Sequence, residues 1–120
     1  MASAAREVAE PIVLVLSSEH MGHGDEELGH ILIRSFLHTL GEVEPRPHTI
    51  VLFNSGVKLA VEGSPVLEDL HALAKNGVAI LVCGTCLGHY GLKEKLAVGQ
   101  VSNMYSIAEN MLGACRVVNL

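Results

Sequence analysis

Uninterrupted apolar runs punctuate the chain and alternate with stretches whose apolar positions recur every three to four residues. The strongest runs are Ile12–Leu16 (IVLVL), Thr49–Phe53 (TIVLF) and Val78–Cys83 (VAILVC). They lack the in-out alternation of a half-exposed strand, so they predict strands covered on both faces, as in a parallel sheet flanked by helices. Leu28, Ile31, Leu32, Phe36 and Leu40 fall near a 3.6-residue period and predict a helix capped by Asp25. A second helix is expected from "SPVLEDL": Ser64 caps, Pro65 takes the first turn, and Val66, Leu67, Leu70 and Leu73 form the apolar face. Asn76-Gly77 is a good left-handed terminus for it.

Beyond Cys83 the pattern is weaker. "GLKEKL" predicts a short helix and "VGQVS" a brief strand. "NMYSIAENML" is a clearer helix, with Met104, Ile107, Ala108 and Met111 on one side; this side is expected to be core or subunit interface. "CRVVNL" makes a last, more polar strand, expected at an edge. Strands and helices alternate throughout, which predicts a three-layer α/β/α sandwich around a mostly parallel five-stranded sheet. With no linker, repeat or low-complexity stretch, residues 12–120 read as one domain. The alanine-rich opening, residues 1–11, reads as a flexible N-terminal extension.

Composition narrows the function classes. The chain of 120 residues is 49% hydrophobic and only 3% aromatic, which describes an aliphatic core and no surface for stacking bases. Its net charge is −5 and Lys and Arg form no cluster, so nucleic-acid binding is not expected. No apolar run approaches the roughly 18 residues of a membrane span. The opening also lacks the apolar core of a secretory signal. An odd count of 3 cysteines argues against a disulfide scaffold and fits a reducing compartment, so a cytoplasmic location is expected.

In an open parallel sheet, ligands bind beyond the carboxyl ends of the strands. There the chain runs into "SSEHMGHGDEELG", "NSGVKL", "CGTCLGHYG" and "SNMYS". The sulfur pair Cys83 and Cys86 therefore sits on one rim with His23, Gly24, Asn54, Ser55, Gly56, Lys58, Gly84, Thr85, His89 and Asn103. Cys83 ends a strand, and Cys86 is expected in the turn leading to a helix. Free backbone N–H groups at a helix start stabilise a thiolate, the form that attacks and carries sulfur. Lys58 adds positive charge and His89 is a candidate base or donor. Gly22, Gly24, Gly56 and Gly84 would let backbone come close to a small anion or persulfide. Cys86, expected to be less buried, is the better nucleophile; Cys83 would resolve it or pack.

Other chemistries remain open for the same residues. Cys83 and Cys86 could be small buried residues or a reversible disulfide pair. With His89 they have ligand-like spacing, and His20, His23 or His30 could complete a metal site, although zinc sites usually show two paired motifs. The glycines of "MGHGDEELG" match neither a dinucleotide nor a Walker loop, and no cofactor is expected. Asp25, Glu26 and Glu27 suit the positive first turn of a helix. "FNSGVKL" could be only a tight turn. His38, His48 and His71 read as ordinary surface or loop residues, and Cys115 as structural.

The stretches "MGHGDEELG", "FNSGVKL", "EGSPVLEDL", "CGTCL" and "NMYSI" resemble the C-terminal domain of sulfurtransferase-like selenium metabolism proteins of the YedF type, in the DsrE/DsrF-like superfamily. The resemblance runs from about Ile12 to Leu120. It implies an α/β/α domain assembling as a homo-oligomer, a trimer or hexamer. It also implies a cysteine carrying persulfide-type sulfur between partners, which places Cys83 or Cys86 in that role. Such proteins commonly add an N-terminal sulfur-carrier domain with a Cys-Pro motif, which this sequence lacks, so a sulfur-carrier or desulfurase partner would be a separate chain. Three functions are therefore carried forward: a sulfur- or selenium-trafficking protein, a non-catalytic oligomeric module binding a small ligand or partner, and a Cys/His metal-binding regulator.

Overall fold

The computed structural model describes residues 10–120. The expected extension lies, apart from residues 10 and 11, outside the described residues. Five strands form one sheet: β1 (Ile12–Leu16), β2 (Thr49–Leu52), β3 (Ala79–Cys83), β4 (Gln100–Ser102) and β5 (Arg116–Asn119). Their order is β4-β3-β2-β1-β5 and every pairing is parallel. As the patterning demanded, β1 and β2 are buried along their whole length and β3 at all but its first residue. Each Val, Leu or Ile so buried contributes about 1.5–3 kcal/mol relative to exposure. The polar final strand lies at an edge, and the brief fourth strand at the other.

Four α-helices connect them: α1 (Glu26–Thr39), α2 (Leu67–Lys75), α3 (Gly84–His89) and α4 (Met104–Gly113). Asp25 caps α1, accepting from Leu28 N–H at 2.8 Å, with Glu26 and Glu27 in the first turn. Ser64 does not cap α2: its hydroxyl instead accepts from Val66 N–H at 3.2 Å, and the helix starts at Leu67. A serine followed by proline favours a local turn, and here that turn delays the helix. The end of α2 is as expected, with Gly77 at φ 98°.

The face of α1 differs from expectation. Gly29, Ile33, Leu37 and the following Leu40 are buried, whereas Leu28, Ile31 and Leu32 are exposed at 51%, 48% and 41%. Gly29 sets this rotation, because the loop after β1 lies on it. Met21 N–H donates to its carbonyl at 3.1 Å, and a Cβ there would lie 2.8 Å from that of His20. On α4, Ile107 is fully buried and Ala108 and Met111 half-buried, but Met104 is 56% exposed.

Two connections depart from their predicted form. "FNSGVKL" is more than a turn: Asn54–Ala60 is a 3₁₀ helix. "GLKEKL" yields only a 3₁₀ turn at Lys93–Lys95, because the α-helix lies earlier, at Gly84–His89. His48, read as an ordinary loop residue, is built into the sheet: its Nδ1 accepts from Ile12 N–H at 2.9 Å. Pro11 is likewise held, its carbonyl accepting from Cys115 N–H at 2.9 Å.

The steps β1→β2→β3→β4 all advance in one direction, so right-handed crossovers put α1, α2 and α3 on one face; the return to β5 puts α4 on the other. The contacts agree. α1 packs on α2, α3 on both 3₁₀ segments, and α4 against β3. Neighbouring strands whose connections leave to opposite faces open a crevice between their carboxyl ends. Here that switch falls between β3 and β4.

Candidate functional site

Cys83 stands at this switch, and Cys86, three residues on, faces the segment that leaves β2. Cys83 is the last residue of β3, pairs in register with Ser102 of β4, and is the N-cap of α3. Cys86 lies inside α3, not in a turn before it. Gly84 lets the helix start press against β4: a Cβ there would sit 3.0 Å from Val101 Cγ1 and 3.3 Å from Ser102 O. The difference in exposure predicted for the two sulfurs is present. Cys83 is 2% exposed and Cys86 half-buried.

The environment of Cys86 is built by the 3₁₀ helix after β2. Asn54 has φ 52°, and among the described residues it is the non-glycine with positive φ. This left-handed turn points its backbone N–H at Cys86 Sγ, 3.1 Å away. Such a conformation costs most residues about 1–2 kcal/mol and is easiest for Asn and Gly. The Asn54 side chain is also held, with Oδ1 accepting from Tyr90 OH at 3.2 Å. Lys58 Nζ lies 4.5 Å from the centre of the Tyr90 ring and 3.6 Å from Glu19 Oε2. Tyr90 and Glu19 were missed in the sequence. The available signal for Tyr90 was its position four residues after Cys86, one helical turn away.

Electrostatically the site departs from the expectation of a depressed thiol. Burial pushes the Cys86 thiol above its ordinary range, while the Asn54 N–H pulls it down; the neighbouring Cys83 thiol pushes it further up. The six-residue α3 offers too little dipole to reverse this. Cys86 therefore rests as a thiol at neutral pH, with one backbone donor placed to hold the charge of its anion.

The rim residues separate into groups. Asn54, Cys83, Gly84 and Cys86 converge, whereas Lys58, expected to add positive charge at the thiol, faces Tyr90 and Glu19 instead. Gly56 is structural: a Cβ there would meet Leu16 O at 2.1 Å, so only glycine lets the 3₁₀ helix dock on the end of β1. Ser55 is half-buried beside it, and Thr85 is exposed on α3. Asn103 caps α4, its side chain accepting from Ser106 N–H at 2.9 Å. His23 and Gly24 line a separate hollow of about 210 Å³ with His20 and Asp25. His89 is exposed with its ring edge-on to Tyr90, 5.2 Å between centres, and His20 stacks on His30 at 4.5 Å. Among the described residues no three His, Cys, Asp or Glu side chains form a metal-holding group, so the set Cys83–Cys86–His89 is not assembled. Cys115 is exposed at the start of β5. A larger cleft of about 360 Å³ opens beside Lys58, lined by Glu19, His30, Ile31, Arg34 and Pro65.

Residues 11–120 match the DsrE/DsrF-like family. The chain belongs to this family. The DsrE/DsrF-like family is associated with sulfur relay. Solved structures share the fold: the ychN protein from E. coli, at 19% identity and TM-score 0.71, covers 92% of this chain and 99% of its own. MTH1491 from Methanobacterium thermoautotrophicum, a protein of unknown function, gives 19% identity and 0.67 over the same shares. BT1422 from Bacteroides thetaiotaomicron, also of unknown function, gives 14% and 0.64 with both chains fully covered. No curated protein matches the sequence. Among the described residues of this DsrE/DsrF-like chain, no helix is long and apolar enough to cross a membrane.

Proposed function

We propose that this protein traffics sulfur or selenium, as YedF-type members would, by holding persulfide-type sulfur on Cys86. The observation that carries this reading is the Asn54 N–H aimed at Cys86 Sγ, at 3.1 Å, where the segments leaving β2 and β3 meet. A left-handed asparagine is a local expense that makes sense where a backbone donor must reach one sulfur. Loading begins when the Cys86 thiolate attacks the terminal sulfur of a donor persulfide; the donor's S–S bond breaks and its cysteine leaves as a thiolate. The raised thiol leaves less anion at neutral pH, but each anion is the more nucleophilic for it. A desulfurase or sulfur-carrier protein is the expected donor.

The exposed Leu28, Ile31 and Leu32 on α1 support the companion proposal of a homo-oligomer, a trimer or hexamer. Replacing Leu28 and Leu32 together by Glu should then lower the mass seen in gel filtration.

The test of loading uses the purified protein, a cysteine desulfurase and cysteine, followed by intact mass with and without reductant. A reductant-labile gain of one sulfur atom is expected in wild type or, should wild type pass its sulfur on, in Cys83→Ser, and its absence is expected in Cys86→Ser. The cleft beside Lys58 favours a second reading, a binding module without turnover; protein that takes up no sulfur under these conditions would select it.

A further inference from the structure

The proposed carrier role uses Cys86 and leaves Cys83 unemployed, yet the fold places Cys83 with unusual purpose. It is the N-cap of α3 and Cys86 is the third residue of that helix, the two positions that face each other across a helix start. Residues so spaced fall within roughly the 4.4–6.8 Å between Cα atoms that a disulfide spans. The Cys83 side chain makes no capping hydrogen bond, so its sulfur is not committed to the backbone. At 2% exposure it is screened from outside thiols, while the Cys86 side chain lies within hydrogen-bonding reach of it. Cys115 is no rival: it precedes β5, which lies about three strand spacings, roughly 14 Å, from β3 and carries it at the opposite end of the sheet.

Resting on the carrier reading, we infer that Cys83 discharges the sulfur held on Cys86 as hydrosulfide, closing a Cys83–Cys86 disulfide. A lone pair of Cys83 Sγ forms the new bond to Cys86 Sγ. The bond between Cys86 Sγ and the terminal sulfur breaks, and its electron pair leaves with that sulfur. The proton of Cys83 goes to the departing group, so a perthiolate and a thiol become a disulfide and HS⁻, with charge and hydrogen conserved. Cys83 sulfur is oxidised and the terminal sulfur is reduced; no further reagent enters the step. A dithiol reductant then restores the pair for another round. The chain would thus be a persulfide reductase in addition to a carrier, and bound selenium would leave as hydroselenide by the same exchange.

The experiment loads wild type, Cys83→Ser and Cys83→Ala, removes the donor by desalting, and follows sulfide release without reductant alongside intact mass and peptide mapping. Both variants are first checked for wild-type circular dichroism, and the alanine variant covers the case in which serine fails to fold. Wild type should release one sulfide per loaded chain and gain a bond mapped to Cys83–Cys86. Either folded variant should keep its sulfur until reductant is added. A wild-type protein that loads yet keeps its sulfur overturns the discharge while leaving the carrier intact, as does a disulfide mapped to Cys115. Failure of wild type and of both folded Cys83 variants to take up sulfur, with no sulfide released, overturns both.

Discussion

Replacing Gly56 by alanine is the sharpest probe of how the site is assembled. The new Cβ would start 2.1 Å from Leu16 O and 2.9 Å from its carbonyl carbon, where separations under 3.0 Å are essentially never found. The backbones must part by roughly 1 Å, and neither yields cheaply. Leu16 is fully buried at the end of β1, and its carbonyl already accepts from Phe53 N–H at 3.2 Å. Both obstacles are main chain, so no rotamer change relieves them. Overpacking of this kind costs about 1–3 kcal/mol, and rigid partners argue for the upper end. At about 4 °C per kcal/mol for a domain of 120 residues, the melting temperature should fall by about 8–12 °C. Gly113→Ala is the control. A Cβ there meets nothing within 4 Å, and its place at the end of α4 makes alanine neutral or slightly stabilising. Thermal unfolding followed by circular dichroism compares the two. A Gly56→Ala shift of less than about 2 °C would refute the argument that this close approach fixes the 3₁₀ helix that carries Asn54.

Asn54 gives a separable test: Asn54→Ala should lose about 1 kcal/mol in urea unfolding from its left-handed backbone, whereas Asn54→Gly should lose less. Both keep the N–H on Cys86, so iodoacetamide modification of Cys86 should change little in the glycine variant. The pH profile of that modification in wild type should still be rising above about pH 8.5, the ordinary thiol midpoint, since burial outweighs the Asn54 donor; a plateau below it would contradict the site as described. His38 is raised above its ordinary 6.5 by its hydrogen bond and charge contact with Asp69, 3.0 Å away on α2. Its NMR titration midpoint should drop in Asp69→Asn. The sign follows: this contact helps α1 hold α2 fully below the unfolded midpoint, and the help fades as pH rises through the folded one.

The strands were legible because an all-buried parallel strand leaves a run with no alternation, and Ile12–Leu16 matched to the residue. The exposed apolar stripe of α1 was not legible: Leu28, Ile31 and Leu32 have the helical period of a buried face, and the small Gly29 that sets the true face carries no hydropathy signal. Cys83 and Cys86 could be found as a pair, and their unequal burial followed from strand and helix positions. The direction of the Cys86 shift could not. It depends on how deeply the packing of α3 on the 3₁₀ segments buries Cys86 and on a single amide from 32 positions upstream, neither of which local spacing encodes. His48 was misjudged for a related reason: only the finished sheet brings Ile12 N–H to its ring.

A wholly parallel sheet has a polarity that matters to anyone building fusions of this chain. Leu120 N–H donates to Val15 O and Ser17 Oγ donates to Leu120 O, so the last residue is tied to the outgoing end of β1. Any polypeptide attached there emerges on the cysteine side of the molecule, about three strand spacings or roughly 14 Å from Cys83. An affinity tag of even a few residues could shade Cys86 from a protein donor. Attachment before Ile12 leaves from the opposite end of the strands and should keep the approach clear.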